Sequence, residues 1–284
     1  PLTGGKSYMI GVGNKDYGYF AGGEPGPGYL STVDRIDYSN DTAAAITKGP
    51  LSLARSEMGG TGNSSYGYWG GGMQPSQKSI VDRVDYSSDT TGTTVKGPLS
   101  RTVKFFSATS AQENGLLARK LTISTPFAFG ENHTTPYPYA YWGGGFPANT
   151  TVDRVDYSND TTQALLRGAT ASARYKLAGT GNQNYGYFGG GVTAAPATVS
   201  TVDRLDYSND ILNASIRGPL SVVRKGQGVA TGNLSFGYWC AGQTPSTTST
   251  VDRVDYGNDT ATASPRGPLS RDTFSAGAAG TPSY

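Results

Sequence analysis

The sequence predicts an all-β fold built from repeated four-stranded sheets, and three observations carry that prediction. The string Val-Asp-Arg-x-Asp-Tyr occurs five times, beginning at Val33, Val81, Val152, Val202 and Val251. A string typified by Tyr-Gly-Tyr-Trp-Gly-Gly-Gly precedes each copy in the same phase. No segment shows the 3.6-residue apolar periodicity of a helix, whereas runs rich in Gly, Tyr, Thr and Val alternate with turn residues.

The repeat period indicates the architecture. A period of about 49 residues fits one four-stranded blade of a β-propeller. The chain is expected to form a single propeller domain. Its predicted units are 1–49, 50–97, 98–167 with an insertion near 111–137, 168–218, 219–267 and a partial unit 268–284.

The fourth unit illustrates the four predicted strands. Strands a and b are expected at 174–178 and 185–189, joined through the turn Gly181-Asn182, and strands c and d at 201–207 and 213–217. The connection between c and d reads Tyr-Ser-Asn-Asp, and these residues tolerate left-handed backbone and bond their own main chain. All the connections therefore favour antiparallel hairpins.

The order of these elements resembles the blade of kelch-type β-propellers. The matching positions are Pro-Leu-x-x-x-Arg at the start of a unit, the glycine run that closes strand b (Gly70-Gly71-Gly72) and the Tyr that ends strand c. The sequence departs from the kelch pattern several residues after that Tyr, where Thr or Ala replaces the usual Trp, as at Thr42. The resemblance implies a diverged kelch-like propeller, to which the roles of intracellular kelch adaptors do not transfer.

The blade count follows from the number of units. Five complete units are followed by a segment with the pattern of a sixth strand a, and Tyr284 aligns with the first Tyr of the next Tyr-x-Tyr string. We expect the natural protein to continue and to form a six-bladed ring. Seven blades are the alternative, and five with a spare strand is a third.

An Arg and an Asp recur two positions apart on every strand c. Residues i and i+2 of a strand share a face, so these pairs predict a ladder of ion pairs that bridges neighbouring blades. A calcium site is disfavoured because it needs six to eight oxygens that converge on one point. The predicted ladder comprises Arg35, Asp37, Arg83, Asp85, Arg154, Asp156, Arg204, Asp206, Arg253 and Asp255.

Composition excludes several functional classes. Only 15% of residues are charged, with 23 basic against 21 acidic, so no basic surface for nucleic acid is expected. No apolar run is long enough to insert into a membrane. One Cys and one His cannot furnish a cysteine-based zinc site or repeated catalytic machinery. We therefore predict a protein without enzymatic activity, metal or cofactor.

Specificity is expected where the repeats differ, because binding residues are usually carried by loops on a rigid scaffold. The loops between strands b and c differ in every unit, and the third unit carries the one large insertion, which is aromatic and basic. The predicted partner contacts are Arg119, Lys120, Phe127, Phe129, His133, Tyr137 and Phe146.

The near-identical repeats and the low-charge composition rich in Asn, Thr, Gly and Tyr resemble phage virion and tail-fibre proteins. This resemblance implies a structural or adhesive component, located in a virion or outside the cell. Its partners would be other structural chains or a host-surface glycan, within a larger assembly. A lectin-like carbohydrate-binding propeller is the alternative, and a kelch-type protein-interaction adaptor is the second alternative.

Overall fold

A computed structural model describes residues 1–112, 137–226 and 230–274 of the chain. It contains five four-stranded antiparallel sheets, and in each sheet the strands lie side by side in chain order. The inner strands of consecutive sheets pack against each other. The predicted all-β propeller is therefore confirmed.

The blades have the following bounds. Blade 1 is β1 (Ile10–Gly13), β2 (Tyr17–Ala21), β3 (Val33–Asp37) and β4 (Ile46–Lys48). Blade 2 is β5 (Gly59–Gly62), β6 (Tyr66–Gly70), β9 (Val81–Asp85) and β10 (Thr94–Lys96), with a small hairpin of β7 (Met73–Gln74) and β8 (Ser76–Gln77) between its middle strands. Blade 3 is β11 (Ser107–Ser110), β12 (Tyr139–Gly143), β13 (Val152–Asp156) and β14 (Leu165–Arg167).

The last two blades follow the same plan. Blade 4 is β16 (Ala178–Gly181), β17 (Tyr185–Gly189), β19 (Val202–Asp206) and β20 (Ser215–Arg217), and β15 (Arg174–Tyr175) pairs with β18 (Val192–Thr193) beside it. Blade 5 is β21 (Ala230–Gly232), β22 (Phe236–Cys240), β25 (Val251–Asp255) and β26 (Ser264–Arg266), with a hairpin of β23 (Gln243–Thr244) and β24 (Ser246–Thr247). Short 3₁₀ helices follow the third strand at Tyr38–Asn40, Tyr86–Ser88, Tyr207–Asn209 and Tyr256–Asn258.

The predicted strand boundaries hold for the second strand of the fourth unit and fail for the first. β17 matches the expected range, but the inner strand β16 begins at Ala178 rather than at Arg174. Two local features displace it. Arg174 turns inward to the buried Asp203, and Lys176 adopts a φ of 56°, which interrupts extended backbone.

The apolar core lies between the blades rather than within them. Four clusters of buried residues correspond to the four interfaces between consecutive blades. Trp69, Trp142, Phe188 and Trp239 of the second strands are buried there, whereas Phe20 of blade 1 is only half-buried. Glycine on the inner strands permits this approach, since a Cβ on Gly60 would lie 3.0 Å from side-chain atoms of Ile10 in blade 1.

Residues 268–274 dock on blade 5 in the way that each unit begins on the preceding blade. The amide of Leu269 donates to the Ser249 carbonyl at 2.9 Å, as Leu220 does to Ser200 one unit earlier. The amide of Gly242 donates to the Thr273 carbonyl at 3.0 Å. The described chain therefore has five blades and the docked start of a sixth unit, and the six-bladed ring stays a prediction.

Candidate functional site

The recurrent Arg of each third strand lies at an interface between blades. Arg35 of blade 1 donates from Nη1 to Oδ2 of Asp89 in blade 2 at 2.7 Å, while its guanidinium lies 4.2 Å from the Tyr17 ring centroid. The same bond links the other consecutive pairs of blades at 2.7–2.8 Å, through Arg83 to Asp160, Arg154 to Asp210 and Arg204 to Asp259.

The recurrent Asp of the predicted ladder has a different task. Asp37 accepts hydrogen bonds from the amide and hydroxyl of Ser39, and thereby caps the 3₁₀ helix that follows β3. Asp85, Asp156, Asp206 and Asp255 cap the corresponding turns. The cross-blade carboxylate is supplied instead by the Asp four residues further along the chain.

Asp89 is the cross-blade acceptor that sequence reasoning assigned to turn chemistry alone. Besides Arg35, it accepts from the Tyr19 hydroxyl at 2.9 Å and pairs with the Lys48 ammonium at 3.1 Å. Burial raises the pKa of this carboxyl, but the hydrogen bonds from Tyr19 and Lys48 outweigh burial and hold the pKa below its usual value. An Asp at one offset in all five units was the signal that could have revealed it.

A ladder of stacked tyrosines accompanies these bonds. Tyr19 of blade 1 stacks on Tyr86 of blade 2 with centroids 4.9 Å apart, and three further pairs repeat the contact. Burial, and then the hydrogen bond to Asp160, raises the pKa of Tyr68 well above its usual value. These phenols therefore stay protonated and donate, which suits a structural contact rather than proton transfer.

A second set of buried aspartates forms ion pairs within blades 1, 2, 4 and 5. Asp82 is fully buried and pairs with Arg55 Nη1 at 2.8 Å, and Asp34 pairs with Lys6 at 3.0 Å. Asp203 forms an ion pair with Arg174, and Asp252 forms one with Arg224. Because buried charges are stable only when paired, this set also belongs to the scaffold.

The predicted partner contacts fall partly outside the described residues. Arg119, Lys120, Phe127, Phe129 and His133 all lie there. Tyr137 is half-buried, with its ring 6.4 Å from that of Tyr207. Phe146 is 39% exposed, and its amide donates to the Lys104 carbonyl at 2.8 Å. Tyr137 precedes β12 and Phe146 follows it, so the two residues lie on opposite faces of the propeller.

The face that carries Phe146 also carries a ring of backbone hydrogen bonds around the propeller axis, which we call the hub. The amide of Glu57 donates to the Tyr8 carbonyl, Phe105 to Glu57, Lys176 to Phe105 and Gly226 to Lys176, over 2.7–3.1 Å. Tyr8, Glu57, Phe105 and Lys176 have φ angles of 54–59°. Such angles cost non-glycine residues about 1–3 kcal/mol.

The hub side chains differ in every blade and contact one another. The Tyr8 ring lies 6.2 Å from that of Phe105 and 6.3 Å from that of Phe274. Lys176 Nζ lies 4.6 Å from the Phe105 centroid and 5.2 Å from that of Phe274. Blades 1 and 3 are not neighbours, so the contact between Tyr8 and Phe105 places these side chains at the axis. Sequence reasoning missed the hub because its residues do not repeat.

The hub holds an uneven set of charges. Glu57 pairs with Lys104 at 3.0 Å, and Lys104 Nζ also lies 4.8 Å from the Phe105 centroid. Lys176 has no carboxylate within ion-pair distance among the described residues. Burial, and then the neighbouring ammonium of Lys225, lowers the pKa of Lys176. The arrangement suits an anionic group that meets Lys176 beside aromatic rings.

Within the described part of the chain, no three His, Cys, Asp or Glu side chains are placed to hold a metal ion. Burial raises the pKa of the Cys240 thiol, which disfavours the reactive thiolate. Among the helices of the same residues, none has the length and apolar character needed to cross a membrane.

Comparison with known proteins adds no family assignment. No protein-family model matches the chain, and no curated protein matches it. The kelch-like and virion resemblances therefore rest on the sequence pattern.

Proposed function

We propose that this protein is a non-enzymatic structural or adhesive β-propeller, a component of a phage virion such as a tail fibre, baseplate or decoration protein, that contacts a partner through its hub face. One observation carries the proposal. The recurrent polar side chains bind one another inside the scaffold, whereas those that vary from blade to blade, such as Tyr8, Phe105, Phe146 and Lys176, lie on one face.

The strained hub backbone supports a binding role for that face. The chain contains 41 Gly and places Gly at most positions with a positive φ, yet the four hub positions carry Tyr, Glu, Phe and Lys. Their side chains are therefore retained at a conformational cost, which is typical of functional sites. The low net charge of +2 and the near-identical blades support the virion setting.

Paired surface variants test the hub face. Phe146→Ser and Leu212→Ser each remove an exposed apolar side chain, 39% and 60% exposed, from opposite faces of the propeller. We expect labelled protein to bind bacterial cells or purified virion proteins in flow cytometry and pull-down assays. Phe146→Ser should weaken that binding at least tenfold, and Leu212→Ser should leave it unchanged. Equal losses in both variants, or no binding, would contradict the proposal.

A lectin-like function is the second candidate, and the Lys176 environment favours it. An acidic sugar would place its carboxylate on the Lys176 ammonium, which lies 4.6 Å from the Phe105 centroid. Calorimetric titration with glucuronate and with glucose tests this directly. Glucuronate should bind at least tenfold more tightly than glucose, and Lys176→Met should abolish the difference. Lys15→Met, which removes a cation from the opposite face, is the matched control. Equal binding of the two sugars would exclude this candidate.

A further inference from the structure

The contacts between consecutive blades form one set that repeats four times. Each blade offers a forward face, made of the second-strand Tyr, the third-strand Arg and the Gly after the outer strand. The next blade offers a rear face, made of the turn Asp and the Tyr that ends its third strand. Within the described residues, the forward face of blade 5 and the rear face of blade 1 lack these partners.

The forward face of blade 5 has its Tyr, Arg and Gly, but no described blade packs against it. Tyr238 is half-buried, whereas its four counterparts Tyr19, Tyr68, Tyr141 and Tyr187 are fully buried. Arg253 lies over the Phe236 ring at 4.2 Å, as its counterparts lie over theirs, yet no carboxylate of the described chain pairs with it. A Cβ on Gly218 would lie 1.9 Å from the Ala261 carbonyl, but one on Gly267 would meet no atom within 4 Å.

The rear face of blade 1 shows the complementary vacancy. Asp41 is exposed and has no ion-pair partner among the described residues, whereas Asp89, Asp160, Asp210 and Asp259 are buried by theirs. Tyr38 stacks on no ring of the described chain, although Tyr86, Tyr157, Tyr207 and Tyr256 each stack on the preceding blade. The two open faces thus carry unpaired charges of opposite sign.

We infer that this open side binds a sixth four-stranded blade of the same repeat, which enters through residues 268–274 and closes the ring against blade 1. A blade of this repeat presents an Asp and a Tyr to Arg253 and Tyr238 on one side, and an Arg and a Tyr to Asp41 and Tyr38 on the other. Its first residues are already in place, and Phe274 reaches the Tyr8 ring at 6.3 Å. A sixth blade would therefore repeat the interface that already joins the five described blades at four places.

A designed extension tests the inference. Phe274 aligns with Tyr175, so a copy of residues 176–217 fused after Phe274 supplies all four strands of a sixth blade. We expect hydrogen exchange at the Gly267 amide to slow at least tenfold, because each counterpart donates to the turn Asp carbonyl at 2.7–2.8 Å. We also expect Tm to rise by roughly 5 °C. An extended, folded chain with unchanged exchange and Tm would overturn the inference.

Two arginine variants keep the inference testable even if the extension does not fold. In the unextended chain, Arg253→Ala should leave Tm unchanged, whereas Arg204→Ala, which removes a bonded counterpart, should lower it by several degrees. In the extended chain both variants should lower Tm. Equal losses in the unextended chain would show that Arg253 is already engaged, which contradicts the open face.

The competing occupant is a second copy of the chain. Sedimentation velocity on the unextended chain should show a monomer. A dimer that both Arg253→Ala and Asp41→Ala dissociate would assign the two faces to another copy and overturn the sixth-blade inference.

Discussion

At the residue scale, one short string distributes three aspartates among three tasks. In blade 2, Asp82 is fully buried and pairs with Arg55. Asp85 caps a 3₁₀ helix, and Asp89 receives Arg35 from the preceding blade. The three side chains are chemically identical and differ only in their positions. Asp82 and Asp85 point to opposite faces of the strand, and Asp89 lies in the turn that follows it.

Asp89 and Asp41 occupy the same repeat position with opposite surroundings. Asp89→Ala should destabilise the protein by about 3 kcal/mol, because it leaves Arg35 and Tyr19 at a buried interface without their acceptor. Asp41→Ala should leave the unfolding midpoint unchanged, because Asp41 is exposed. Denaturant titration of both variants checks the contrast, and an equal loss at Asp41 would refute it.

The lowered pKa of Asp89 gives the interface an acid dependence. A carboxyl whose folded pKa lies below its unfolded value of about 3.9 contributes stability that is present above that value. The contribution is lost as the pH falls through the folded pKa. The stability difference between wild type and Asp89→Ala should therefore shrink between pH 5 and the acid limit of folding, measured by thermal unfolding at a series of pH values. A constant difference would contradict the assignment.

Substitution of Lys176 tests whether the positive φ angles of the hub lower stability while their side chains provide binding. Lys176→Gly should keep or raise Tm, because glycine relieves a φ of 56° that costs a lysine about 1 kcal/mol or more. The same variant should lose binding of acidic sugars. In the wild type, binding should weaken as the pH rises through the lowered pKa of Lys176, at lower pH than for a free lysine. A large fall in Tm would mean that Lys176 is structural.

At the scale of elements, the outer strands of blades 1 to 4 are each followed by a glycine that packs against the next blade. The Gly168 amide donates to the Asp210 carbonyl at 2.8 Å, and a Cβ there would lie 1.8 Å from the Leu212 carbonyl. Glycine is required at this position by the close approach of two backbones rather than by a turn.

Gly168 and Gly267 form a matched pair of substitutions. Gly168→Ala should destabilise the protein by on the order of 2 kcal/mol or more, because the clash with the Leu212 carbonyl forces two blades apart. Gly267→Ala should cost little, because its Cβ would enter open space. Circular dichroism melts of the two variants distinguish them, and a similar loss in both would show that blade 5 is covered.

At the scale of the whole molecule, stability resides in the interfaces. Each core cluster spans two consecutive blades, so a blade contributes its apolar surface only through its neighbours. Such an array resembles a repeat protein, in which nearest-neighbour interfaces supply most of the stability. Inner blades have two interfaces, and blades 1 and 5 have one each among the described residues.

Hydrogen exchange should follow this gradient. The second and third strands of blade 3 should be protected longest, and those of blades 1 and 5 should exchange earlier, because local opening there breaks one interface instead of two. Exchange monitored by mass spectrometry resolves β12 and β13 from β22 and β25. Uniform protection across the five blades would indicate a single cooperative unit closed on itself.

The repeat, the blade architecture and the second strand of the fourth unit could all be predicted from the sequence. These features follow from local patterns such as glycine runs, alternation and turn residues, which act over a few positions. The Arg of the predicted ladder could also be identified from the sequence, because it recurs at one offset in every unit.

The Asp that pairs with that Arg could be identified only from the packed blades, because the partner lies on the next blade, 54 residues away for Arg35 and Asp89. The tertiary structure also located the hub, where Tyr8 and Phe105 share no pattern and meet only because five blades converge on one axis. Contacts between distant residues depend on how whole sheets pack, and that packing is not encoded in any local stretch of the chain.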